Sequence, residues 1–503
     1  LDGDVVNVNG WHDAIPGYGD GAPDMYTSPV AREETMKERD FDVVVVGAGG
    51  AGLAAVHGAA EQGARVLLLE AGDRPGGSLA LSGGVFYAAN TSVQRAAGIV
   101  TDTPDAMYRY YMAVNHYRLD AAVIRRLCDE ATPVFEWLLS IGVEFPQSQL
   151  FAAGLDGVKR GHRAGGLGRQ IAEALEGALG KYDKVDVAMR SRVTELARDA
   201  SGAVTGVRLN GEFVRAGAVV LASGGIGGNK EMISRYLPKT AMYGDWVWYI
   251  GAATNRGDGV AMGLSAGGTV TGIDTGSIMM TPAFGNDFEP YIPGWLVFVS
   301  HEGRRFADET IDYAVSSNLV RALPGGECFA LLDEATRTAP RAGNMASKDQ
   351  KNAYPFASWT ADRLEAMSKT GKLFSAGTIA ELAEKVGINV DRLQHSVEVY
   401  NRDCAAGHDT LFGKNKDLLR PLATPPFYAA RLRPAVVGVT GAGLRTDRDA
   451  RVLDGNDRPI AGLYAAGETV GGIHGELYVG GGGMIANAVV YGRIAGKNAA
   501  RNG

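Results

Sequence analysis

The chain has few cysteines, no long apolar run and little net charge. Its three cysteines, Cys128, Cys328 and Cys404, are scattered and form no CxxC. This argues against a disulfide scaffold, a zinc site or attached haem, so no metal is expected. No apolar stretch approaches the roughly 18 residues that a membrane span needs. The net charge is −7 and no long basic run occurs. A polyanion partner is therefore not expected, and nucleic acid is set aside. No internal repeat and no signal peptide can be read. Leu1 in place of Met leaves room for processing or trimming, and a cytoplasmic location is expected.

Glycine is abundant instead. There are 70 among 503 residues, about twice the usual ~7%. They cluster beside apolar runs without a period, as where backbone must approach a large ligand. The length exceeds what one hydrophobic core supports, so two or more domains are expected.

Residues 1–40 carry Gly, Pro, Asp and Tyr without period and read as a surface arm. "DVVVV" then reads as a buried parallel strand, "AGLAAVHGAAEQG" as a helix of small residues closing at Gly63, and "RVLLLE" as a second strand. Together they make a β-α-β unit. Residues 104–180 show helical spacing, and 185–225 alternate like strands, with "NGE" as a hairpin turn. The segment 241–375 differs in character and holds Trp246, Trp248, Trp295 and Trp359, so it reads as an insertion. Residues 376–425 look helical, and 426–503 return to strand and then helix.

Gly47-Ala48-Gly49-Gly50-Ala51-Gly52 fits GxGxxG between the strand and the helix. Gly47 permits the turn, Gly49 lets backbone approach a pyrophosphate, and Gly52 lets the helix pack closely. The helix N-terminus faces the phosphates. Glu70 ends the second strand at the distance expected of a ribose ligand. Further glycine- and serine-bearing loops follow: Gly76, Gly77, Ser78, Ser82, Gly83 and Gly84, then Ser223 and Gly224, then Gly467 and Glu468. A simple NAD domain needs no such set, whereas four loops converging on one extended ligand fit FAD.

These stretches resemble the flavoprotein family of fumarate reductase and succinate dehydrogenase, which includes the 3-ketosteroid dehydrogenases. The resemblance runs over about 40–503 and rests on "VVVVGAGGAGLAAV", "GGSLALSGG", "VVLASGGIGGN", "EGRRFADE" and "GLYAAGETVGGIHG" with the later "GGGG". It implies an α/β fold with a discontinuous Rossmann-like FAD-binding domain (41–240 and 376–503). An α+β capping domain (241–375) is inserted in it, with substrate held between the two. It also implies non-covalent FAD, and it extends the expected cofactor contacts to Ala71, Val193, Gly483 and Ile485.

The dicarboxylate reductases of that family hold substrate with arginines and histidines, as two carboxylates require. This chain departs from that pattern. Tyr313 stands where a catalytic arginine follows "GxRFxxE", and Tyr478 where an arginine follows "GGxHG". "PAVVGVTGAG" carries no histidine before its glycines. The pattern instead resembles the ketosteroid dehydrogenases. There a capping-domain tyrosine is the base, and a second tyrosine polarises the substrate ketone with a backbone N–H four residues later. Tyr313, Tyr478 and Gly482 fall at those positions.

The expected chemistry is desaturation beside the carbonyl of a small apolar ketone, steroid or cyclohexanone-like. Tyr313 would be the base, Tyr478 with the Gly482 N–H the oxyanion donors, and FAD the hydride acceptor. A quinone, a dye-like acceptor or oxygen would reoxidise the flavin. The reverse enone reduction, reduction of an unsaturated carboxylate and a purely electron-transferring subunit are the alternatives. An arginine facing the flavin, Arg304 or Arg305, would favour the carboxylate. Otherwise these two are expected to anchor the cap through Asp308 or Glu309. His474 is expected to be structural. Trp246, Trp248 and Trp295, and the stripe Tyr108, Tyr110, Tyr111 and Tyr117, are further candidates for lining the pocket.

Overall fold

The computed structural model describes residues 5–7, 39–209, 211–285, 292–339 and 359–502. The β-α-β unit is β1 (Phe41–Val46), α1 (Gly50–Ala60) and β2 (Val66–Leu69). Two helices follow, α2 (Pro104–Val114) and α3 (Ala121–Ser140), started by Thr103 and Asp120 side chains that accept first-turn N–H groups. Strands β3 (Val185–Ala188) and β4 (Glu212–Leu221) return to the first sheet.

The second sheet begins with β5 (Gly276–Thr281). After it come α4 (Tyr313–Ala322), β6 (Cys328–Asp333), α5 (Ile379–Val386), α6 (Val390–Ala406) and the long β7 (Phe427–Thr440). The chain then re-enters the first sheet with β8 (Pro459–Ala465) and ends in α7 (Gly483–Asn502).

In the first sheet β3, β2, β1, β4 and β8 are parallel neighbours in that order. Their β-branched and leucine runs are buried on both faces, as a helix-covered parallel sheet requires. Val5–Asn7 adds an antiparallel strand against β3. The rest of the expected arm, up to residue 38, lies outside the described residues. Helix α7 packs along α1 through small residues. A Cβ on Gly496 would lie 1.9 Å from the Ala55 carbonyl oxygen, so only glycine permits that approach.

β7 organises the second sheet. It pairs antiparallel with β5, β6 and Leu373–Ala376, and in parallel with Trp248–Tyr249. One face buries Trp295, Phe298, Trp359 and Leu432. The other buries Leu331, Phe427 and Ala429 against Leu382 of α5 and Leu393 and Tyr400 of α6. Residues of 376–440 thus pair and pack with the second sheet, beyond the boundary expected at 376. Their helices looked like any amphipathic helices, and only pairing reveals which sheet they cover.

Candidate functional site

The carboxyl ends of β1, β2, β4 and β8 lie side by side, and the loops leaving them line one cavity of about 340 Å³. This is where open parallel sheets bind ligands. Gly47 adopts φ +102, and a Cβ there would meet the Ala222 carbonyl oxygen at 2.5 Å. A Cβ on Gly52 would sit 1.7 Å from the Gly47 oxygen, whereas one on Gly49 would meet nothing within 4 Å. Two glycines thus let the chain fold onto itself, and the third leaves open space at the N-terminus of α1. That space is a cradle shaped for a pyrophosphate.

The Glu70 carboxylate accepts the Ala48 and Gly72 N–H groups, each at 2.7 Å. It is thereby fixed at the edge of the cradle, with lone pairs left for ribose hydroxyls. Ala71, Gly77, Ser82, Gly83, Gly84, Val193, Gly224 and Ile485 also line the cavity. Ala48, Gly52 and Gly483, expected as cofactor contacts, are not among the residues that line it.

Ser78 Oγ, on the cavity wall, accepts the Ala252 N–H at 2.9 Å and Asn255 Nδ2 at 3.1 Å. Ser223 Oγ accepts the Gly259 N–H at 3.0 Å. Glu468 accepts the Thr440 N–H at 2.7 Å and its hydroxyl at 2.8 Å, and the Tyr249 hydroxyl lies 3.3 Å from its other oxygen. Burial pushes the Glu468 carboxyl upward against these hydrogen bonds. Both crossings between the sheets, near Tyr249 and Thr440, are thus tied to the cavity wall.

The glycine-rich turn before α7 closes the other end. Tyr478 lies here, and its oxygen accepts the Met484 N–H at 3.2 Å. Gly482, at φ +100, presses on Val85: a Cβ would meet the Val85 oxygen at 2.7 Å. Tyr110 braces the turn, donating to the Val479 carbonyl at 2.9 Å and accepting the Leu155 N–H at 2.7 Å. Tyr313 opens α4 on the cap side, and its ring lies 6.4 Å from that of Tyr478. Both tyrosines line the cavity. So residues 165 positions apart in sequence, one opening helix α4 and one in the turn before α7, meet at one point.

Arg305 does not reach the cavity. It is buried in the cap, bonded to Glu309 and Asp409 at 3.0 Å. Arg304 is exposed and lines no part of the cavity. None of Trp246, Trp248 and Trp295 lines it either, because these rings pack within or against the second sheet. Of the tyrosine stripe, Tyr110 and Tyr111 are buried and Tyr117 is 70% exposed.

Sequence reading missed several lining residues. Phe151 and Arg163 lie beside the glycine-rich turn, with the guanidinium 5.4 Å from the ring centroid. Arg163 pairs across strands with Val85, which places both on one face. Arg192, bonded to Asp258 at 2.7 Å, lines the cradle end. Leu81 and Ile250, 64% and 41% exposed, form an apolar rim open to solvent. No motif marks them; only their neighbours in space do.

The family described as "FAD binding domain" matches residues 42–485. The chain belongs to this FAD-binding family. Its cradle, the Glu70 carboxylate beside it and the cavity wall fit FAD, and the chain is an FAD-dependent oxidoreductase of fumarate-reductase type. A probable fumarate reductase of Shewanella frigidimarina is 31% identical, over 92% of this chain and 75% of that protein. A vinyl phenol reductase of Lactiplantibacillus plantarum is 29% identical over 93% and 97%. Among solved structures, a 3-ketosteroid-Δ4-(5α)-dehydrogenase of Rhodococcus jostii RHA1 is 25% identical with TM-score 0.70. That match covers 93% of this FAD-binding chain and 98% of the dehydrogenase. Among the described residues no helix is long and apolar enough to cross a membrane, and no group of side chains is arranged to hold a metal ion.

Proposed function

We propose that the chain desaturates the α,β carbon–carbon bond of a cyclic ketone, or runs the same site backwards as an enone reductase. The observation that carries this reading is the tyrosine pair Tyr313 and Tyr478 at the glycine-rich end of the cavity. The Tyr478 oxygen is already an acceptor, for the Met484 N–H, so donation to a ketone falls to its own proton. The Gly482 N–H is the second donor to the same oxygen. Such donors act on charge that develops in the transition state, and each is worth about 3–4 kcal/mol. Tyr313 takes the α-proton. Bound FAD supplies the hydride acceptor. The rim of Leu81 and Ile250, with Val85, Phe151, Val439 and Met484 within, suits an apolar ring.

A second reading is reduction of an unsaturated carboxylate. Arg163 favours it: a guanidinium inside the cavity can grip a carboxylate by two parallel hydrogen bonds. The name of the Shewanella relative points the same way. Anaerobic mixing separates the readings. On the ketone reading, the oxidised flavin bleaches with a steroid ketone or a cyclohexanone, and Tyr313→Phe abolishes the bleaching. Reoxidation of the reduced enzyme by an unsaturated acid, with no response to any ketone or enone, would replace it with the second. An external quinone, dye-like acceptor or oxygen completes the proposed cycle.

A further inference from the structure

The apolar lining at the reacting end is broken by charge at one point. Among the described lining residues, those with charged side chains are Glu70, Arg163, Arg192, Asp258 and Glu468. Glu70 is held at the cradle by the Ala48 and Gly72 N–H groups. Arg192 and Asp258 are bonded to each other at 2.7 Å. Glu468 accepts from the Thr440 N–H and hydroxyl, and burial pushes its carboxyl upward. Arg163 is therefore the cation that a ligand beside Tyr313 and Tyr478 would meet.

Short strands fix its place. Val85–Tyr87, Gly161–Arg163 and Leu150–Phe151 form one antiparallel sheet with Gly161–Arg163 in the middle. Arg163 pairs with Val85, so both side chains stand on one face. Val85 in turn touches the glycine-rich turn, where a Cβ on Gly482 would meet its carbonyl oxygen at 2.7 Å. The Phe151 ring centroid lies 5.4 Å from the guanidinium, and a Cβ on Gly481 would lie 3.8 Å from Phe151 Cζ. The chain just after Phe151 presses on Gly480, whose Cβ would sit 2.1 Å from the Ala153 oxygen. Arg163 and the Gly482 N–H are thus held by one piece of backbone, with Val85 between them. That reach suits a single ring rather than several fused ones. Arg163 is only 8% exposed, so an ion gripped there is shielded from water. A guanidinium offers five N–H donors in a fixed fork, of which a carboxylate takes two.

We propose that the substrate is a one-ring ketone carrying a single carboxylate, and that Arg163 selects it. The proposal rests on the ketone reading given above. A dicarboxylate would need a second cation, and the reacting end offers one. Arg163 holds the acid on one side of the ring, while Tyr478 and the Gly482 N–H hold the ketone oxygen on the other. Fixed at both ends, the ring presents its α-C–H to Tyr313. That bond breaks and its proton goes to the Tyr313 oxygen. The hydride of the β-carbon goes to FAD, the oxidant, and a carbon–carbon double bond forms beside the carbonyl. Tyr478 keeps its proton as the donor to the ketone oxygen, and the carboxylate is unchanged. In the enone-reducing direction the same contacts hold the unsaturated oxo acid.

The test mixes oxidised, FAD-loaded enzyme anaerobically with 4-oxocyclohexanecarboxylate, its methyl ester and cyclohexanone, and reduced enzyme with the matching 2-enones, following flavin absorbance. We expect the acid to half-saturate the response at about 10²-fold lower concentration than the ester, the worth of two charge-assisted hydrogen bonds. In Arg163→Gln that ratio should fall to near 1. Arg163→Lys should keep part of it, because the charge remains and the fork is lost. A structural role for Arg163 would weaken acid and ester alike and leave the ratio standing. Should Arg163→Gln fail to retain FAD, the wild-type ratio and the lysine variant decide. Equal half-saturation by acid and ester in wild type, or a ratio that survives in Arg163→Gln, overturns the acid selectivity but leaves the ketone reading intact. Cyclohexanecarboxylate, which has no ketone, should compete with the oxo acid without bleaching the flavin. Bleaching by it would put the chemistry beside the carboxylate and overturn both. A wild type whose flavin responds to no ketone or enone, with or without an acid group, also overturns both.

Discussion

Arg305→Met isolates the role of the cap's charged core. Arg305 makes four hydrogen bonds of 3.0 Å, two to Glu309 and two to Asp409. Lys414 Nζ lies 3.1 Å from Glu309, and its side chain and both carboxylates are 0% exposed. Two cations thus face two anions. Removing one cation leaves a buried carboxylate uncompensated, although Glu309 keeps the Phe298 N–H and Asp409 keeps the Lys414 N–H. Breaking a buried pair from one side costs about 3–5 kcal/mol. Urea unfolding of the cap, followed by tryptophan fluorescence, should show a loss of that size near neutral pH.

The pH dependence has a fixed sign. Burial pushes the Asp409 carboxyl up, but the bonds and charge of Arg305 together with the Lys414 and Leu411 N–H groups bring it down to about 2. A lowered acid stabilises the fold above its unfolded value of about 3.9 and loses that contribution as pH falls toward 2. The gap between wild type and variant should therefore close below about pH 4. Arg304→Met, at an exposed position, should change stability by under ~0.5 kcal/mol. A loss below about 1 kcal/mol for Arg305→Met would refute the reasoning, since buried pairs rarely yield so little. So would impaired ketone binding at unchanged stability, which would make Arg305 a substrate contact.

Tyr478→Phe should lower flavin bleaching by ketone about 10²–10³-fold with ligand affinity little changed, the cost of one oxyanion donor; stopped-flow absorbance reads both. Gly52→Val should yield protein without FAD, seen as a missing visible absorbance, because its Cβ would overlap the Gly47 carbonyl. Burial holds His57, His162 and His474 at about 4 each. The unfolded chain takes up these protons near pH 6.5 and the folded chain does not. Stability should therefore be full above about 6.5 and fall between there and 4, by up to about 3 kcal/mol per histidine. Urea midpoints across that range measure it, and His474→Phe should remove one share.

Local pattern made the nucleotide end legible. GxGxxG, its flanking strand and helix, and Glu70 are neighbours in sequence, and backbone sterics there admit few arrangements. The later loops were legible because parallel strands deliver their ends to one edge, wherever they occur in the chain. Their lining of a common cavity followed from topology alone.

The rest depended on contacts between distant segments. Helices α5 and α6 have ordinary amphipathic sequences, and only the pairing of β7 with β6 assigned them to the cap. Arg163 and Phe151 reach the cavity because their short strands pair beside Val85. Tyr313 and Tyr478 could be named from their spacing to neighbouring motifs, but their meeting was decided by the packing of α4 near the glycine-rich turn. Sequence determined the cofactor cradle, because its geometry is local. Tertiary packing decided what surrounds the reacting end, because burial and proximity there come from residues hundreds of positions apart.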